Sequence, residues 1–109
     1  MASEVLKLAT FRGDASSVQA LLTVGAGKTC TVLSVTICET GNAAETFKLL
    51  IDDGGSGADT YIYFDQALAA KTTFEHTSKI VLEATDMLGF ITGGSADVDV
   101  VVSYLDQTL

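Results

Sequence analysis

Asp97-Val98-Asp99-Val100-Val101-Val102-Ser103-Tyr104 is the stretch on which the fold turns. Val98, Val100, Val102 and Tyr104 share one parity, with Asp97, Asp99 and Ser103 on the other. A period of two puts each set on its own face of an extended strand, whereas a helix would repeat its apolar residues every three to four positions. The pattern recurs upstream, where Phe47, Leu49 and Ile51 alternate with Thr46, Lys48 and Leu50. Outward from these two runs, the chain is punctuated by Gly13, Gly25-Ala26-Gly27, Gly41-Asn42, Gly54-Gly55-Ser56-Gly57 and Gly93-Gly94-Ser95. Between the turns lie segments rich in β-branched and aromatic residues, at 5–11, 18–24, 29–39, 46–52, 60–64, 72–76, 80–82, 87–92 and 98–105. Residues 15–24 and 65–71 also contain helix formers; in the second, Ala67, Ala69 and Ala70 suggest a loop or one helical turn.

The expected fold is all-β: a single antiparallel β-sandwich, jelly-roll-like, of about eight short strands over residues 1–109. Residues 1–14 form its N-terminal arm or an edge strand. In segment 29–39, strict alternation sets Leu33, Val35 and Ile37 on one face and Cys30, Val32, Ser34, Thr36 and Cys38 on the other. That second face is small and mildly polar, which suits a covered surface. Cys30 and Cys38 would share a side of the strand at a separation of about 26 Å, too far for a bridge, and are read as free thiols.

Composition narrows function. The 109 residues are 48% hydrophobic, enough for a core without a metal or disulfide staple. A net charge of -8, from six basic and fourteen acidic side chains, argues against nucleic acid as a partner, because phosphate binding rests on Lys and Arg. No apolar run behind a basic flank suggests a signal peptide or membrane segment, so synthesis and folding in a cytoplasm, with no membrane partner, are expected.

The local motifs point the same way. Gly25-Ala26-Gly27-Lys28-Thr29 ends like a phosphate loop, but Leu22 stands where the first glycine belongs and a β-branched run follows in place of a helix. It reads as a turn. Asp52, Asp53 and Asp59 surround a glycine loop without the spacing of a calcium hand, and Asp97 and Asp99 read as a polar edge. His76 is the only histidine, and neither Ser16, Ser17 and Ser78 nor the two cysteines sit in a nucleophile's setting. Catalytic residues, metal ligands and cofactors are therefore all expected to be none. Tyr61 and Tyr63, with Phe74 and Phe90, could stack on a sugar, although packing in the core or at an interface is the simpler use of such rings.

From Ala26-Gly27-Lys28-Thr29 to Tyr104 the order of features resembles small β-sandwich virion structural proteins of tailed bacteriophages. The shared features are the opening turn, the strand 31–38, the turn Thr40-Gly41-Asn42-Ala43-Ala44 and the strand 46–51. Tyr61-Ile62-Tyr63-Phe64, Ala69-Ala70-Lys71-Thr72 and Leu82-Glu83-Ala84-Thr85-Asp86 then follow, before a strand ending in valines. Two departures are Gly25, where such proteins commonly carry proline, and Thr85-Asp86, where they commonly carry Gly-Asp.

The resemblance implies a protein of the virion that binds without catalysis: a capsid cement or decoration protein, or alternatively a tail- or fibre-associated receptor- or carbohydrate-binding module. Its implied partners are the major capsid protein or another virion protein and further copies of itself, a homotrimer being the first choice. Leu6, Leu8, Tyr61 and Tyr63 are the candidate interface residues, and Leu21 and Leu22 are further apolar residues that subunits could share.

Overall fold

Strands form at all nine of the segments with strand composition. The computed structural model describes residues 3–55, 57, 59–94 and 96–108. In chain order they form β1 (Ser3–Gly13), β2 (Gln19–Thr23), β3 (Lys28–Glu39), β4 (Glu45–Asp52), β5 (Asp59–Leu68), β6 (Thr73–His76), β7 (Ile80–Leu82), β8 (Met87–Thr92) and β9 (Val98–Thr108). A single 3-10 turn, Asp53–Gly55, follows β4, and no α-helix occurs among the described residues. Residues 1 and 2 of the expected N-terminal arm, Ser56 and Ala58 of the acidic loop, and Ser95 of the last glycine turn lie outside the described residues.

Two antiparallel sheets face each other. The first has the order β1-β9-β3-β6, with β7 also paired to β3; the second has the order β2-β8-β4-β5. In-sheet partners come from opposite ends of the chain: β1 with β9, β2 with β8, β3 with β6 and β7, and β4 with β5. The chain thus behaves as one long hairpin, tipped between β4 and β5 and wrapped so that successive pairs fall alternately into the two sheets. This is the jelly-roll order.

Inner faces meet in a core of Val32, Val35, Ile37, Phe47, Leu49, Leu88, Phe90, Val98, Val100 and Val102, each at most 1% exposed. The rings interlock: Phe47 lies 5.2 Å from Phe74, 5.8 Å from Phe90 and 6.0 Å from Tyr63 between centroids, joining the second sheet to β6 of the first. Leu50 is fully buried on the opposite side of β4, where its cross-strand neighbour is Gly89. A β-carbon at Gly89 would stand 2.7 Å from a Leu50 methyl, so glycine is what allows that second layer of packing.

Strict alternation fails in three strands, each time at a bulge. In β3, pairing with β9 slips between Val32 and Ser34. The extra residue, Leu33, moves Cys30 and Val32 onto the core side with Val35 and Ile37 and leaves Leu33 off it. Cys30 is therefore buried and Cys38 half-buried on the opposite face, so the expected shared side is incorrect, although both thiols are free. In β2 the slip between Ala20 and Leu22 turns both Leu21 and Leu22 into the chain's own core, which removes them from the surface residues. In β5, where a loop or helical turn was expected from residue 65, the strand instead runs on to Leu68, accommodating the irregularity with a positive φ of 54° at Asp65.

Candidate interaction surface

β1 is an edge strand paired only with β9, and Ser3 through Leu8 are exposed throughout. Ala9 and Phe11 pack against the core, so alternate residues Glu4, Leu6, Leu8, Thr10 and Arg12 face outward. Leu6 is 72% and Leu8 63% exposed, far more than a side chain of that size needs to be in a finished core. A shallow depression of ≈ 370 Å³ lies here, lined by Leu6, Lys7, Leu8, Leu33, Ser103 and Tyr104. Beside it a second, of ≈ 300 Å³, is lined by Thr10, Phe11, Arg12, Asp99, Val100 and Val101. The outer side of the first sheet thus carries an apolar strip along β1 and β9, ended by the exposed Arg12–Asp99 pair at 3.7 Å. Asp97 and Asp99 do not form a shared site: Asp99 faces Arg12, while Asp97 gives its backbone carbonyl to both the N–H and the hydroxyl of Thr40.

One charged cluster anchors β1 from within. Asp106 is 7% exposed and receives Lys7 at 2.8 Å and Lys28 at 3.4 Å, with the Cys30 thiol 3.9 Å away. The Lys7 hydrogen bond holds the Asp106 carboxyl below its usual range and raises Lys7 in return; burial pushes the Cys30 thiol up. A depressed carboxylate stabilises the fold above its unfolded pKa of about 3.9 and loses that contribution as pH falls through the folded value. Asp106→Asn should accordingly be less stable than the parent at neutral pH, and the gap should close as the solution is taken below about pH 4. Urea midpoints across that range check this; a gap independent of pH would mean that the carboxylate's charge is not what matters.

Tyr61 and Tyr63 share a parity yet face opposite ways, because β5 slips against β4 at Ile62. Tyr63 turns inward, half-buried, and its hydroxyl lies 2.8 Å from Nδ1 of His76. It forms part of the packing and not of the outer surface. Phe90 is fully buried and Phe74 packs on the core, so the four-ring platform is not formed. A different cluster takes its place on the outside of the second sheet. Phe64 and Asp65 together oppose the single residue Lys48, which ion-pairs with Asp65 and sits 4.5 Å over the Phe64 ring. Tyr61 meets Phe64 edge-on at 4.9 Å, and the two are 42% and 62% exposed.

The remaining sequence motifs are structural in this fold. Lys28 N–H closes the 25–28 turn on the Gly25 carbonyl, Gly27 has φ 75°, and β3 begins at Lys28, as a strand-to-strand turn requires. Asp52 accepts the Gly57 N–H at 2.9 Å within its own loop. Asp86, at the end of the turn 82–86, accepts the N–H groups of Glu83 and Gly54, both at 2.9 Å, and these bonds lower its pKa. No group of three or more His, Cys, Asp or Glu among the described residues is placed to hold a metal ion. No helix among them is long and apolar enough to cross a membrane.

No protein-family model matches the sequence, and no curated protein matches it significantly. Solved structures do match in fold. A chain of the Bacillus endospore appendages, disulfide-linked pili, superposes with a TM-score of 0.62 at 8% identity over 99% of this chain and 88% of that one. A chain of the acidic stable capsid of Helicobacter pylori bacteriophage KHP30 gives 0.59 at 18% identity over 100% and 94%. A chain of infectious bursal disease virus, Gx strain, gives 0.56 at 14% identity, covering 97% of this chain but 32% of that one. The shared property is the β-sandwich, found in phage and viral capsids and in a pilus.

Proposed function

We propose that the chain is a structural protein of a bacteriophage virion, acting as a cement or decoration protein that binds the assembled capsid. The observation that carries this reading is the apolar strip formed by the exposed Leu6 and Leu8 with the half-buried Leu33 on the outer side of the first sheet. Apolar side chains held out on a rigid sheet act by contact with another surface. Support comes from the fold: the phage KHP30 capsid chain matches almost end to end on both sides. The role requires no catalysis, and His76, tied to Tyr63, has the setting of a packing residue. A protein that binds only the assembled shell stabilises it by mass action, and many copies make weak individual contacts sufficient. The net charge of -8 disfavours packaged DNA as a competing partner.

The test adds purified protein to particles lacking it, sediments them, and challenges the shells with heat or low salt. Saturable binding and improved shell survival are expected, with Leu6→Ala and Leu8→Ala each weakening binding about tenfold, the scale of a buried apolar anchor. Tyr61→Ala, on the opposite sheet, should bind as the parent does.

A second reading rests on that opposite sheet. The exposed Tyr61–Phe64 pair is a small aromatic surface of the kind that meets sugars, which suits a tail- or fibre-associated module. Loss of binding to host cells or glycans in Tyr61→Ala, with no binding to shells, would move the function there. A homotrimer, the first expectation for its self-association, would need a head-to-tail contact between two unlike surfaces of neighbouring copies.

A further inference from the structure

A β-sandwich has four sheet edges, and each is an open row of backbone donors and acceptors unless something blunts it. Three are blunted here. β6 and β7 are four and three residues long. β2 has five residues and a register slip, and β5 has two slips and the positive φ of Asp65. β1 is different. Its eleven residues pair with β9 from Ser3–Thr108 to Gly13–Val98 without a shift, and its positive φ, 112°, falls at the last residue, Gly13, so the strand is long and regular along its free side from Ser3 to Arg12. The chain contains no proline to interrupt it. Its inward charge, Lys7, is already held by Asp106 at 2.8 Å. Three of the most exposed large apolar side chains, Val5, Leu6 and Leu8, sit on this one strand.

We propose that β1 pairs antiparallel with β1 of a second copy, about a two-fold axis at Leu8, joining the two first sheets into one. The occupant follows from the strand's own charges. Leu8 is the midpoint of Ser3–Gly13, so this register is the one that pairs all eleven residues. It also sets Glu4 opposite Arg12 of the second copy, and Arg12 opposite its Glu4, on the outer face. Arg12 is 85% exposed in its loose 3.7 Å pair with Asp99, and Glu4 accepts a bond from Gln107 at 3.1 Å on the surface, so both can reach across. A two-residue slip one way leaves Glu4 opposite Thr10; the other way sets it against Asp14. Charge therefore selects the register that length already favours. An isologous contact closes on itself and leaves no edge free to grow. It would also bring Leu6 and Leu8 of the two copies together, merging their apolar strips into one surface. The pairing goes beyond the virion reading: it is measured in solution without particles, so its failure leaves the shell experiment standing.

Sedimentation equilibrium of the full chain at low ionic strength should show a reversible dimer. Glu4→Arg and Arg12→Glu each place two like-charged pairs across the axis and should weaken dimerisation about tenfold, whereas the double variant restores opposite charges and should recover the parent constant. Both positions are exposed, and unchanged circular dichroism and melting of the single variants will show that the fold is intact. Rescue by the double variant is specific to this register. A monomer at high micromolar concentration, a dimer indifferent to either single change, or singles that weaken without rescue would each overturn the proposal.

Discussion

Phe47→Ala should lose about 3 to 5 kcal/mol of stability, the scale of removing a buried aromatic ring whose site cannot collapse. Phe47 is 1% exposed on β4, and Phe74, Phe90 and Tyr63 surround it from three other strands. Because Phe74 belongs to the first sheet and Phe90 to the second, the ring is a contact across the sandwich and not along one sheet. Rigid sheets on both sides will not close over the void, so lost transfer energy and cavity cost add. Urea unfolding gives the value directly. A loss under about 1 kcal/mol would show that the sheets can slide together, contrary to a packed two-layer core.

How far the sequence reveals this arrangement depends on whether a strand keeps its period. β9 keeps it, and Val98, Val100 and Val102 are buried as the alternation requires. β3 does not. In a run such as Thr29 to Glu39, where small and mildly polar residues alternate with apolar ones, an extra residue at Leu33 leaves no mark, because either face can accept most of the positions. The same slip at Ile62 separates Tyr61 from Tyr63, which period alone would place together. Bulges are set by how the two partner strands fit, and the partners of β3 and β5 are known only once the topology is known.

The interaction surface divides in the same way. Leu6 and Leu8 stand out locally as large apolar residues in a strand next to charges. Leu33 and Ser103 join them because β1, β3 and β9 are neighbours in the sheet, a relation that no local window contains. Asp106 is the extreme case: its partners Lys7 and Lys28 lie at the other end of the chain and reach it only because the long hairpin folds back on itself. In the sequence it is one carboxylate among fourteen acidic residues.

Glu39 shows what such a hidden residue can be worth. It ends β3 with a side chain 1% exposed, and its Oε1 accepts the N–H of Gly41 at 2.9 Å and of Asp97 at 3.3 Å. Its own N–H donates to the Thr72 carbonyl, and the neighbouring Thr40 binds the Asp97 carbonyl twice at 2.8 Å. One carboxylate oxygen thus fixes the place where the chain leaves β3 and, after a long excursion, enters β9. Glu39→Ala strands two backbone donors and should cost roughly 2 to 4 kcal/mol, each lost charge-assisted bond counting for more than a neutral one. Glu39→Gln keeps an acceptor at Oε1 and gives up a charge whose second oxygen, Oε2, has no hydrogen-bond partner among the described residues, so it should cost much less than the alanine. Denaturant midpoints of the pair separate the two effects. Equal losses would assign the role to the charge itself, while a small glutamine loss beside a large alanine loss assigns it to the two backbone hydrogen bonds that hold β3 to β9.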